Sequence, residues 1–131
     1  MNALEKLISD NKFDEISNYL LHFEEKQDEL RNTIDPLCDE YGLIIIHIIG
    51  DMAYSRKIPF WFNQAGYFLA FNFPHLDGAQ RMSLAMFKKS FDINPKDISV
   101  LNAILDFRQP PEIVLTDTEY EYYSAILKQK F

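Results

Sequence analysis

Two prolines, Pro59 and Pro74, bracket a segment that holds Phe60, Trp61, Phe62, Tyr67, Phe68, Phe71 and Phe73. Proline fits the first turn of a helix and disfavours helix in the residue before it, so the pair predicts a helix from Pro59 to about Phe73. At 100° per residue those rings point in several directions. A helix that is apolar on every side has to be covered on every side, so this element is expected at the centre of the fold. The chain is 131 residues long, enough for one hydrophobic core and too short for two independent ones.

Helical periodicity surrounds this segment. Asn2 to Ser9 reads as a short first helix, with Asp10 and Asn11 as a break and cap. From Lys12, Ile16, Tyr19, Leu20, Phe23 and Leu30 fall on one side of a helix of about five turns, and Asp14, Glu15, Glu24, Glu25, Asp28 and Glu29 fall on the other. Thr33 to Asp35 reads as the cap of a third helix with Pro36 in its first turn. Leu43 to Ile49 is mostly β-branched, so a buried strand is an alternative to helix there. Helix is preferred because no second strand-like segment is evident to take up its backbone hydrogen bonds. Further helices are expected from Gly78 to about Asp92 and from about Lys96 to Arg108, the latter ended by Pro110 and Pro111. A last helix, capped by Thr116 or Asp117, carries Lys128 and Lys130 at its C-terminal end, where cations complement the helix dipole. The expectation is one all-α domain over 1–131, a bundle or short helical-repeat solenoid of about seven helices, or α+β if 43–49 is a strand.

Charge narrows the partners. Thirteen Lys and Arg against twenty Asp and Glu give a net charge of -7, which repels phosphate backbones and anionic lipid alike, so neither nucleic acid nor membrane is expected. Residues 1–58 hold six basic and twelve acidic side chains, whereas residues 59–131 hold seven and eight, so the N-terminal half carries most of the negative field. The single cysteine, Cys38, precludes an intrachain disulfide. With a first segment that lacks the pattern of a secretory leader, it leads us to expect a cytoplasmic protein.

Catalytic chemistry finds no starting point in the residues. His22, His47 and His75 are far apart and form no metal pair, and His47, inside an isoleucine run, is expected to be a core histidine. Cys38 and His47 would lie nine positions apart, about 13 Å along a continuous helix, too far to act as nucleophile and base. Adjacent carboxylates such as Asp39 and Glu40 diverge by about 100° on a helix. No phosphate-cradling, nucleophile-elbow or zinc-finger motif is present. The chain is therefore expected to bind a protein partner, without metal or cofactor, rather than to catalyse; a small enzyme built on Cys38 or a histidine is the least supported class.

Two resemblances sharpen this expectation. Phe87, Phe91 and the run Asp92-Ile93-Asn94-Pro95, followed by Ile98, Leu101 and Leu105, resemble the junction between two tetratricopeptide repeats, although Ser83 and Ser90 stand at small-residue positions. An ordinary helix hairpin with an Asn-Pro stop accounts for the same residues. If the repeat likeness holds, it implies an adaptor that grips a peptide or protein segment in a groove. In size, acidity and class the chain is similar to bacterial immunity proteins, which neutralise toxin domains by tight binding. That likeness implies a basic toxin domain, such as a nuclease, as the partner. Its binding residues would be Asp14, Glu15, Glu24, Glu25, Asp28 and Glu29, with Tyr122, set among Glu119 and Glu121, as a further anchor. Neither the partner nor the oligomeric state follows from the sequence.

Overall fold

The computed structural model describes residues 2–109 and 113–130, leaving aside the side chain of Lys130. The stop expected at Pro110 and Pro111, and the placement of the Lys130 ammonium, lie outside the described residues. Within them the fold is all-α with no strand. In chain order the helices are α1 (Ala3–Ser9), α2 (Phe13–Leu20), α3 (Gln27–Ile34), α4 (Cys38–Tyr41), α5 (Leu43–Arg56), α6 (Pro59–Phe71), α7 (Ala79–Ile93), α8 (Ile98–Leu105) and α9 (Asp117–Lys130). Single 3-10 turns extend α2 through Phe23, join α3 to α4, and extend α8 through Arg108.

Several boundaries follow from local chemistry. Asn2 caps α1 by accepting from the Glu5 amide, and Asp97 caps α8 by accepting from Ser99 and Val100. Thr116 and Glu119 cap α9 reciprocally: Thr116 Oγ1 accepts from the Glu119 amide, and the Glu119 carboxylate accepts from the Thr116 amide. Gly42 sits at a positive φ of 49°, which separates α4 from α5, and the Leu43–Ile49 run is helical. The β-branched residues are accommodated because Ile45, Ile48 and Ile49 are packed into the core, where burial outweighs their weak helix preference.

The chain differs from its periodicity between Lys12 and Asp35. The expected five-turn helix is broken: α2 ends at Leu20, and Glu24 and Glu25 form a turn, with Glu25 at a φ of 65°, before α3 begins at Gln27. Thr33 is therefore inside α3 rather than a cap, and its hydroxyl donates back to the Glu29 carbonyl. The break takes Glu24 and Asp28, and Glu25 and Glu29, off the shared helix on which each pair would repel at i and i+4. It also frees Glu24 to turn inward.

As expected, α6 is the central element. Phe60, Trp61, Phe62, Gln64, Ala65, Gly66, Phe68 and Leu69 are all buried, α5 and α7 pack along it, and polar side chains of α3 meet it. Phe71, at the helix end, is exposed and rests on Tyr67. The apolar interior departs from the single core expected. One cluster runs through α1 to α6, and a second joins Leu84 and Phe91 of α7 to α8, Phe107, Leu115 and Tyr123 of α9. The two meet at α7, which contributes Met86 to the first. Where α6 and α7 cross, the contact is close and built from small groups: Ser83 Oγ donates to the Gly66 carbonyl at 2.6 Å, and a Cβ on Gly66 would fall 2.7 Å from the Phe87 ring.

This geometry separates two glycines that look alike in sequence. Gly66→Ala forces the Phe87 ring to shift and should lower stability by about 1–2 kcal/mol, since overpacking outweighs the helix-propensity gain. Gly50→Ala on α5 meets nothing within 4 Å and should raise stability by roughly 0.5–1 kcal/mol. Urea midpoints at unchanged m-value measure both, and a shift of the same sign in the two variants would contradict the packing described.

Candidate functional site

A polar seam ties the α2–α3 segment to α6. The Trp61 indole Nε1 donates to Glu24 Oε1 at 2.8 Å, and Arg56 donates to both Glu24 oxygens at 2.8 and 2.9 Å. One turn further along, Arg31 Nε donates to Gln64 Oε1 at 3.0 Å, and Gln64 Nε2 donates to Gln27 Oε1 at 3.1 Å. The Arg31 guanidinium lies 3.6 Å above the Tyr67 ring, and Asn72 donates to Asp35 at the far end. Residues 24, 27, 31 and 35 thus face residues 61, 64, 67 and 72. Trp61 is fully buried and Gln64 nearly so, so these partners satisfy groups that would otherwise be costly to leave unpaired.

The expected acidic ridge is divided by this arrangement. Glu24 is a structural carboxylate, held below its ordinary value of 4.5 chiefly by the Arg56 and then the Trp61 hydrogen bond. It is corrected out of the partner surface. Glu25, Asp28 and Glu29 are exposed, and none has an ion-pair partner among the described residues. Asp14 and Glu15 are exposed on the first turn of α2, with Glu15 4.0 Å from Lys12. Asp28 and Glu29 occupy the first turn of α3, where a negative charge also steadies the helix dipole by about 0.3–1 kcal/mol. Their position thus has a structural use besides any contact with a partner.

Beside this acidic turn opens a cleft of about 550 Å³, walled by Glu25 and Gln27 on one side, Phe60 and Asn63 of α6 at the centre, and Asn94 and Asp97 of the α7–α8 junction on the other. Its lining is rich in carboxamides and has no lysine or arginine. Asn63 Oδ1 is buried and has no hydrogen-bond partner among the described residues. Sequence periodicity missed the cleft because it assembles from three separated segments. Pattern alone places Asn63 only as a polar residue in an aromatic helix.

Tyr122 is not brought to this surface by α9, which packs chiefly on α8. It is 61% exposed, edge-on to Tyr123, which is buried. Tyr120 is exposed too, with Arg108 above its ring, because the inward stripe of α9 runs through Tyr123, Ile126 and Leu127. His47 is exposed rather than in the core, since the buried stripe of α5 runs through Ile45, Ile48, Ile49 and Met52. Cys38 is buried, donates to the Ile34 carbonyl, and is pushed up to about 12 mainly by burial, so its thiol is a poor nucleophile. No group of three His, Cys, Asp or Glu able to hold a metal occurs among the described residues, and no described helix is long and apolar enough to cross a membrane.

Glu24→Ala orphans the buried Trp61 N–H and should cost about 1–3 kcal/mol, whereas Glu25→Ala should leave stability within about 0.5 kcal/mol. Because the folded value of Glu24 is depressed, its contribution is present above pH 4.5 and is lost as pH falls through the folded value. Chemical denaturation of Glu24→Gln from pH 6 to 3 should therefore show a shallower acid-side loss than the parent chain. Equal slopes would contradict an inward, paired Glu24.

Compared with known proteins, the chain matches no family model, no curated protein and no solved structure.

Proposed function

We propose that this chain is a protein-binding module whose partner surface is the acidic edge formed by Glu25, Asp28 and Glu29 beside the polar cleft. The observation that carries the proposal is that these carboxylates are exposed and without ion pairs among the described residues, while neighbouring Glu24 is fully engaged. An edge of this kind raises the encounter rate with a basic protein and selects against acidic ones. Asp14 and Glu15 add to the same negative half of the chain. Within this class, an immunity protein that neutralises a basic toxin domain fits the size, the acidity and the exposed acidic edge. Tyr122 belongs to a second exposed patch on α9 and is not needed for this surface.

A helical-repeat adaptor is the second reading. The close crossing of Gly66 with Ser83 and Phe87 favours it, because small residues at a helix-pair crossing are what stacked repeats require. The two differ in partner: an adaptor holds a short linear segment, whereas an immunity protein needs the folded toxin domain.

Capture of partners from the native cell, with the chain as bait, tests the proposal when the parent is compared with the Glu25→Lys, Asp28→Lys, Glu29→Lys triple variant and with a control reversed at Asp39 and Glu40 on α4. A basic protein that arrests growth unless this chain is co-expressed should be recovered by the parent and the control. The triple variant should bind it at least about tenfold more weakly, roughly 1.4 kcal/mol, with unchanged helical circular dichroism. Undiminished binding by the triple variant would remove the acidic edge from the account.

A further inference from the structure

We propose that the polar cleft is a subsite for an arginine side chain presented by the protein partner; this rests on the reading that the partner is basic. The inference comes from the inventory of unfilled groups. In Gln27, Oε1 already accepts from Gln64, and in Asp97, Oδ1 already accepts from Ser99 and Val100. The Glu25 carboxylate and Asp97 Oδ2 remain as anionic acceptors in the lining, and Asn63 Oδ1 is an acceptor with no partner among the described residues. No lining residue supplies a cation.

A buried acceptor left unpaired is costly, and a donor that enters the cleft and reaches Asn63 Oδ1 recovers that cost. A guanidinium suits the site better than an ammonium. It is planar, carries five donors in a fixed fork, and is more weakly hydrated, so it can reach carboxylate and carboxamide acceptors together while stacking on a ring such as Phe60. Glu25 enters through its left-handed backbone at a φ of 65°, an uncommon conformation for a non-glycine residue, which the turn between α2 and α3 imposes. The subsite therefore depends on the same helix break that turns Glu24 inward.

The probe is the blocked tripeptide acetyl-Gly-Arg-Gly-amide, titrated into the ¹⁵N-labelled chain and followed by the side-chain amide signals of Asn63, Gln27 and Gln64. Matched peptides carry citrulline or lysine in place of arginine. Expected are saturable shifts confined to these amides at millimolar peptide, at least about threefold weaker with lysine and absent with citrulline. Asn63→Ala should weaken arginine binding at least about threefold, read at Gln27 and Gln64. Since it deletes an unpaired acceptor, its urea midpoint should not fall. Non-saturating shifts, backbone-amide shifts of equal size at Asp14, Glu15 and Asp39, equal binding of the lysine peptide, or no effect of Asn63→Ala would each overturn the subsite. If the peptide fails while charge reversal still weakens the captured protein, the arginine subsite falls and the acidic-edge reading stands. If the peptide binds while charge reversal changes nothing, the acidic-edge reading falls.

Discussion

The hydrogen bond from the Trp61 indole to Glu24 is the contact on which the layout of the acidic surface depends. A central helix that is apolar all round still carries an indole N–H, the buried Gln64 carboxamide and Asn72 at its end, and each needs a polar partner once water is excluded. The α2–α3 segment supplies them through Glu24, Gln27, Arg31 and Asp35. To bring Glu24 within reach of both Trp61 and Arg56, the chain leaves helical geometry after Phe23 and turns through Glu25. The same turn sends Glu25, Asp28 and Glu29 outward and forms one wall of the cleft. Packing, electrostatics and the proposed binding surface thus share one local cause.

Much of the fold was legible in the sequence because its signals were local. Prolines and caps placed α6, α7, α8 and α9 to within a few residues, and the aromatic density of Pro59–Phe73 identified the central helix. The lack of a pairing partner for Leu43–Ile49 correctly favoured helix. What could not be read was decided by tertiary contact. Nothing between Lys12 and Leu30 is a glycine or proline, so periodicity alone extends one helix through Glu24, and only the distant Trp61 and Arg56 account for the break. His47 was misplaced for a related reason: in a helix apolar on most faces, the pattern does not say which face meets the core.

The candidate site was legible only in outline. An acidic N-terminal half was plain from the charges, but the ridge mixed two kinds of carboxylate that the fold separates, one spent on internal hydrogen bonds and five exposed to solvent. The cleft joins residues 25, 27, 60, 63, 94 and 97, a set that no spacing rule would group. The repeat-like residues have a clear physical role as well: Ser83, Gly66 and Phe87 make a close helix crossing, whatever the evolutionary origin of the pair.

The division of the acidic ridge is the claim most open to direct measurement. Trp61 is the only tryptophan, so the chain has a single indole N–H resonance. Followed through an acid titration of the folded chain, it should shift with a midpoint below 4.5 as Glu24 takes up its proton, because the proton weakens the hydrogen bond that the indole donates. An indole signal that stays fixed through that range would mean that Glu24 does not hold Trp61, and that it stands outward with the other carboxylates on an unbroken helix.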